Sequence, residues 1–355
     1  MKVGSDFSGI GAPEMALKYM GIDFDSVFAC EIDKYSRKSF EQLHNPKTFF
    51  NDITTRNHKE VEQLDLYVAG FPCQAFSMAG KRKGFDEARG TLFFNVAEFI
   101  QINQPKVFVL ENVKGLLSHD KGRTFPTIVD ILSNGGGTQN GQISLDMFDD
   151  GLGYHIYWQV LNTKDYGIPQ NRERIFIIGF KDFRDFRFPK QIPLELKLKD
   201  ILQDKVNDKY FLSDKMIKTI YKPSEGDWNS GKMTIDTNIA KAINARVFKM
   251  GRADTDNYIS VHSLHPRTGN PKKGGTGRLS KNDGTSYCLD TGNAQAVEFN
   301  IKISRLTPLE CWRLQGFKDK DFFKVKDVSD TQLYKQAGNS ITVDVLIHLF
   351  RKIYG

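Results

Sequence analysis

Five short runs decide what the first 180 residues can fold into. Lys2-Val3-Gly4-Ser5, Val27-Phe28-Ala29-Cys30, Thr48-Phe49-Phe50, Leu66-Tyr67-Val68-Ala69 and Val107-Phe108-Val109-Leu110 lack the alternation of a strand with one wet face. A strand without alternation is covered on both sides, as in a parallel sheet flanked by helices. Helical stretches fall between the runs. Pro13 stands where a helix favours proline, at its start, and Gly21 is placed to close it. Thr91 to Ile102 also reads as helix, and His155 to Leu161 with Arg174 to Phe180 as a closing strand pair. The fold class expected is α/β: a Rossmann-like, mostly parallel sheet, with a smaller irregular or β-rich domain.

From about residue 181 the segments shorten and turn signals multiply, as in Lys272-Lys273-Gly274-Gly275 and Asn282-Asp283-Gly284. Regular structure resumes at Thr307-Pro308-Leu309-Glu310, a capping box with proline at the first helical position. A last helix covers roughly Val343 to Ile353. The domains expected are residues 1–180 plus 330–355, and residues 181–329. Residues 134–150, polar and glycine-rich, are expected to form a surface insertion.

Informative residues follow the runs one after another. Gly9 and Gly11 follow the first, Glu31 the second, Asp52 the third, Cys73 the fourth and Glu111 the fifth. In an open parallel sheet the ligand crevice lies outside the carboxyl ends of the strands, so the fold gathers these residues along one edge. The turn Gly9-Ile10-Gly11 is close to a dinucleotide fingerprint, but Glu14 holds the place of its third glycine. That glycine serves helix packing beneath a pyrophosphate, so its absence disfavours NAD and suits a nucleoside cofactor without phosphates. Glu31 lies 20 residues beyond Gly11, the spacing at which an acid meets ribose hydroxyls. With Asp52 and Ile53 these residues point to an adenosine site. Cys73 directly follows Pro72 at a strand end, which presents a thiol at the sheet rim as a nucleophile.

Charge points to a second partner. The chain carries 50 basic and 43 acidic residues, and residues 181–303 hold 22 basic against 15 acidic, so the whole excess lies there. A basic segment beside a neutral body suits a polyanion-binding module, although a solvated lysine-rich surface fits as well. The four cysteines form no CxxC pair, which leaves neither a zinc site nor a disulfide framework. Free thiols suit a reducing, cytoplasmic setting. No apolar run is long enough to span a membrane, no signal peptide precedes the first motif, and lone histidines give no metal-ligand spacing.

Taken in order, Phe7-Ser8-Gly9-Ile10-Gly11, Gly70-Phe71-Pro72-Cys73-Gln74, Leu110-Glu111-Asn112-Val113, Gln170-Asn171-Arg172-Glu173-Arg174 and Gly338-Asn339-Ser340 resemble the motifs of the cytosine-C5 DNA methyltransferases. The resemblance covers about 1–180 and 304–355. It implies S-adenosyl-L-methionine as cofactor, double-stranded DNA as partner and a flipped-out cytosine as substrate. Residues 181–303 stand where that family has its target-recognition domain. By position, Phe7 and Ile32 would flank the adenine, Glu31 would hold the ribose and Asp52 would meet the adenine amino group. Pro72, Leu92 and Asn339 would complete the pocket. Arg174 would hold O2 of the cytosine and Arg172 would support its loop. One departure stands out: Ser5 occupies the place of the acid that commonly opens the first motif, and Asp6 comes one residue later. The family also implies a restriction endonuclease as a genetic partner only, and the chain is expected to be a monomer.

The chemistry agrees with the residues. Cytosine C5 is a poor nucleophile, and addition of the Cys73 thiolate at C6 would turn the ring into an enamine able to take up a methyl group. Protonated Glu111 would donate to N3 as general acid. Lys81, Arg82 and Lys83, on the loop from Gly80 to Gly84, read as a lid over extruded base and DNA, or as a solvated charge run. Blander readings exist elsewhere. Cys30, Cys288 and Cys311 read as packing residues, and Trp158 and Trp312 as core. Two other functions fit parts of the sequence: a tRNA cytosine-C5 methyltransferase, and a DNA-binding regulator with a vestigial catalytic site.

Overall fold

A computed structural model describes residues 1–72, 92–133, 151–211 and 306–355, together with the backbone of four strands between 242 and 305. The chain divides into two compact units, Met1–Leu161 with Glu173–Lys190 and Val345–Gly355, and Asn162–Arg172 with Gln191–Asp344. The first unit therefore ends its middle stretch at Lys190, and the second takes in Asn162–Arg172 from within the span read as one domain.

The first unit is built on a seven-stranded sheet. Its strands are β1 (Lys2–Asp6), β2 (Asp25–Cys30), β3 (Thr48–Phe50), β4 (Leu66–Ala69), β5 (Val107–Val113), β6 (His155–Asn162) and β8 (Glu173–Phe180). A two-residue strand β7 (Gln170–Asn171) lies between the last two in sequence. The order is β3-β2-β1-β4-β5-β8-β6. Pairs β1–β2, β1–β4, β2–β3 and β4–β5 are parallel, and β5–β8 is antiparallel. The continuous apolar runs thus form the parallel part of the sheet, as their lack of alternation requires.

Helices connect the parallel strands: α1 (Ala12–Met20), α2 (Lys34–Leu43) and α3 (Leu92–Asn103), with α4 (Thr124–Leu132) after β5. Pro13 sits in the first turn of α1, and Gly21 closes it in the left-handed conformation. Asp33 caps α2 by accepting hydrogen bonds from the Tyr35 and Ser36 amides. The core gathers Phe93, Phe99 and Ile100 of α3 against Phe28, Tyr67, Phe108 and Leu110 of the sheet. Each fully buried aromatic of this kind contributes about 1.5–3 kcal/mol by leaving water. Phe108 needs a hole to do so. Gly179 lies opposite it on β8, and a Cβ there would stand 2.1 Å from the Phe108 ring.

In the second unit, strands β9 (Ala242–Ala245), β11 (Ala294–Phe299) and β12 (Lys302–Arg305) form an antiparallel sheet, and β10 (Ser286–Tyr287) pairs with β7. The helix Pro308–Arg313 opens with the expected capping box. Thr307 Oγ1 accepts from the Glu310 amide, and the Glu310 carboxylate accepts from the Thr307 amide. Thr307 also donates to Gln203 Oε1 at 2.6 Å, and the Gln203 amide donates to Glu310 at 2.8 Å. Arg313 donates to the carbonyls of Ile201 and Leu202 and forms an ion pair with Asp319. The final helix is Val343–Tyr354.

Some expectations need correction. Glu111 lies inside β5 and not beyond it, because β8 extends the pairing past Leu110 to Val113. Trp312 is core, whereas Trp158 is 47% exposed. Trp158 stands on the sheet's edge strand, with the Phe125 ring against it edge to face at 4.8 Å. Among the described residues no helix is long and apolar enough to cross a membrane.

Candidate active site

The loop after β1 is shaped for close packing. Gly11 has φ +77°, and a Cβ on it would lie 2.3 Å from the His44 ring, so both conformation and space call for glycine. Gly9 and Phe7 are also left-handed, at φ +55° and +53°. Glu31, just beyond β2, holds this loop: its carboxylate accepts the Gly9 amide at 2.9 Å and the Asp33 amide at 2.8 Å. Next to it Ile32 leaves its side chain 73% exposed, an apolar surface beside an acid. Asp52, beyond β3, turns its Oδ1 onto the Thr54 amide and hydroxyl at 2.9 and 2.8 Å. Ile53 is buried in the core, and Phe7 and Leu92 pack against the same cluster. The topology therefore gathers Phe7, Gly9, Gly11, Glu31, Ile32, Asp52 and Ile53 at the carboxyl ends of β1, β2 and β3.

Beneath that loop lies a polar cluster. Glu14 is fully buried, and its Oε1 accepts from the Ser5 hydroxyl at 2.7 Å. Ser5 lies 2.9 Å from Ser8, whose hydroxyl also accepts the Cys30 amide. Glu14 Oε2 is buried and accepts no hydrogen bond. Burial pushes the Glu14 carboxyl up to about 7. Burial likewise pushes the Cys30 thiol up, which makes it a poor nucleophile and fits its packing role.

The second group lies at the end of β5. Asn112 is buried, and its amide donates to the Phe71 carbonyl at 2.9 Å. Phe71 itself is buried against Phe93. The chain is thus pinned two residues before Cys73, with Pro72 exposed between them. Cys73 and the loop 80–84 lie outside the described residues. Register places Glu111 beside Arg174. Val113 faces Arg174 across the antiparallel pair, and Glu111 is two residues back on the same face. Arg174 Nε stands 3.1 Å from Glu111 Oε1, with the side chains 17% and 11% exposed. The contact is an ion pair and not an aligned hydrogen bond, since Oε1 accepts none. On the other face of the same strand ends, Lys114 pairs with Glu173 at 2.9 Å in the open.

Arg172 is placed differently. It belongs to the second unit, is buried, and donates to the carbonyls of Gly338 and Ser340 at 3.3 and 2.9 Å. Its backbone closes a turn on Asn162 and Thr163. The guanidinium therefore fixes the carbonyls of the two residues that flank Asn339, at the end of the helix Asp330–Asn339. The basic residues Arg246, Lys249, Arg252, Arg267, Lys272, Lys273 and Arg278, which the sequence marks for polyanion contacts, lie outside the described residues. Sequence reasoning gave no role to Asn112 or to the Ser5–Glu14 cluster. The Glu-Asn pair at a strand end was the available signal for the former, and an acid in an otherwise apolar first helical turn for the latter.

Comparison with known proteins bears on this arrangement. The family model described as C-5 cytosine-specific DNA methylase matches residues 1–355. The type II methyltransferase M.HpaII of Haemophilus parainfluenzae is 36% identical over 98% of this chain and 87% of that protein. The orphan methyltransferase M.SPRI of Bacillus phage SPR is 33% identical over 99% and 97% respectively. Among solved structures, the S. pombe Dnmt2 methyltransferase shares the fold at a TM-score of 0.61 and 17% identity, over 99% of this chain and 97% of that one.

Proposed function

The chain belongs to the C-5 cytosine-specific DNA methylase family and is a DNA (cytosine-5-)-methyltransferase, and on that premise we propose how its residues divide the work. The proposed reaction moves a methyl group from S-adenosyl-L-methionine to C5 of a cytosine flipped out of a specific duplex sequence. The residues after β1, β2 and β3 fit that cofactor by their chemistry. Glu31 is an acid suited to ribose hydroxyls, Asp52 an acid suited to an exocyclic amine, and Ile32 an exposed apolar side chain suited to a base. Where a pyrophosphate loop would carry its third glycine, Glu14 is fully buried, which suits a ligand without phosphates. S-adenosylmethionine supplies, when bound, an electrophilic methyl group.

The chain's own residues then handle the cytosine. The Cys73 thiolate adds to C6, and the ring's π electrons move toward C5 and N3. Glu111 gives a proton to N3, and Arg174 holds O2 and faces the charge that gathers there. C5 attacks the methyl carbon as its bond to sulfur breaks, leaving S-adenosylhomocysteine. A base then takes the C5 proton, the freed electron pair re-forms the C5–C6 double bond and expels the Cys73 thiolate, and N3 returns its proton to Glu111. Asn112 positions the nucleophile by holding the Phe71 carbonyl. Extruding the base costs a few kcal/mol, which contacts from the loop carrying Lys81, Arg82 and Lys83 offset. Residues 181–329 serve target recognition, and residues 1–180 with 330–355 bind cofactor and catalyse. The enzyme acts as a monomer in a restriction–modification setting, its endonuclease a genetic partner only.

The observation that carries this reading is the Glu111–Arg174 pair beside the tether from Asn112 to Phe71. The test is a random-sequence duplex in which 5-fluorocytosine replaces cytosine. With S-adenosylmethionine present, the protein should remain attached to it through a denaturing gel, and Cys73→Ser should not. Folded protein that forms no adduct removes Cys73 from the mechanism. Adduct formation on fluorinated tRNA and not on duplex would move the activity to the other polymer.

A further inference from the structure

Asp6 and Arg56 form a buried, bidentate ion pair that no step above uses. The Arg56 fork donates to both Asp6 oxygens, at 2.6 and 2.8 Å, and its Nε to His58 Nδ1 at 3.3 Å. Both side chains are 0% exposed. The guanidinium lies between the rings of Phe28 and Phe99, 4.5 Å from each centroid. Asp6 Oδ2 also accepts the Tyr67 hydroxyl at 2.6 Å. Burial, with the Arg56 charge beside it, holds the His58 imidazole below its usual range, which keeps Nδ1 an acceptor.

Where the pair sits gives it a use. Asp6 ends β1 and directly precedes Phe7, the first residue of the left-handed loop. Arg56 follows the turn that Asp52 opens, in which the Thr55 amide and hydroxyl donate to the Asp52 carbonyl. The bidentate contact therefore joins two of the three loops that carry the adenosine-binding candidates, those after β1 and β3. A buried pair is a weak source of net stability, because apolar residues of equal volume often serve as well. Its fork geometry, however, fixes distance and angle together.

We infer that Asp6 and Arg56 are positioning residues that hold the Phe7–Gly11 and Asp52–Ile53 loops at the spacing the cofactor requires. Neither touches reacting atoms. The inference rests on the reading of these loops as the S-adenosylmethionine site. It explains the departure in the first motif: the acid moved from position 5 to position 6 serves this link, and Ser5 turns instead to Glu14.

The test replaces the pair and its hydroxyl partner by apolar groups, Asp6→Leu with Arg56→Met and Tyr67→Phe. S-adenosylhomocysteine binding is measured by calorimetry, and methylation of random-sequence duplex is followed over a range of S-adenosylmethionine. The triple variant should fold, bind S-adenosylhomocysteine about tenfold or more weakly, and raise KM for S-adenosylmethionine with kcat little changed, as expected of a misplaced binding loop. A folded triple variant with parental affinity overturns the inference. If the triple variant does not fold, Asp6→Asn, which keeps the shape and loses the charge, gives the same readout: weaker binding supports the inference and parental affinity sinks it. Failure of the parent to bind S-adenosylhomocysteine would instead overturn the cofactor reading itself.

Discussion

Asp6–Arg56 and Glu111–Arg174 are both acid–arginine pairs on one sheet, and they are finished differently. In the first, the carboxylate takes two guanidinium hydrogen bonds and a tyrosine hydroxyl, and aromatic rings shut out water. In the second, the side chains keep 11% and 17% of their surface, and the carboxylate oxygen nearest the arginine accepts no hydrogen bond. An acid so engaged and wholly buried is out of a ligand's reach, so it can only hold backbone in place. An under-satisfied acid at a strand end retains capacity for a ligand, and native structures rarely leave it so without a use.

Four measurements would break or sharpen that contrast. Glu111→Gln should lower single-turnover methylation by about 10²–10⁴-fold, the usual worth of a positioned general acid, while S-adenosylhomocysteine binding stays near the parent value. Full activity in that variant would erase the distinction between the pairs. Asp6→Ala leaves the Arg56 charge buried alone and should cost about 3–5 kcal/mol in urea unfolding. A much smaller loss would mean that Arg56 finds water or another partner. Glu14 is the intermediate case, an acid buried with the Ser5 hydroxyl, its own backbone amide and the Lys18 charge acting on it. Its carboxyl, raised to about 7 from 4.5, stays protonated when folded while the unfolded chain ionises. The folded state then binds more protons between those values, so stability falls as pH rises from about 4.5 through 7. Comparing urea unfolding at about pH 5 and pH 8, the parent should lose about 2–3 kcal/mol more than Glu14→Gln. Equal losses would remove Glu14 from the account. Lys114→Ala breaks the exposed pair with Glu173 and should cost less than about 1 kcal/mol, detectable only at low salt.

The parallel part of the sheet could be read directly, because its runs from Val27, Leu66 and Val107 had no polar side to hide. The residues just beyond β1, β2 and β3 could be read for the same reason, since topology alone delivers them to one edge. Glu111 was misplaced by a few residues because its strand is lengthened by β8, a partner some 60 residues away in the chain. The helix Lys34–Leu43 escaped notice because its start is marked by a side-chain cap, Asp33, and not by proline. Trp158 was misjudged because edge and centre strands carry similar residues, and only the strand order tells them apart. The Asp6–Arg56 link was beyond any local pattern: a buried cation reads as a surface arginine until its carboxylate and ring partners are known.

The hydrogen bond from Thr307 to Gln203 has one more implication. Gln203 and Thr307 lie about a hundred positions apart in the chain, yet they are fastened together there, and Glu310 and Arg313 reinforce the clasp. Closing a long excursion costs only about 0.6 kcal/mol more for each doubling of its length. A clasp at the ends is therefore nearly indifferent to the number of residues between them, so insertions and deletions there leave the anchoring of helix Pro308–Arg313 almost untouched.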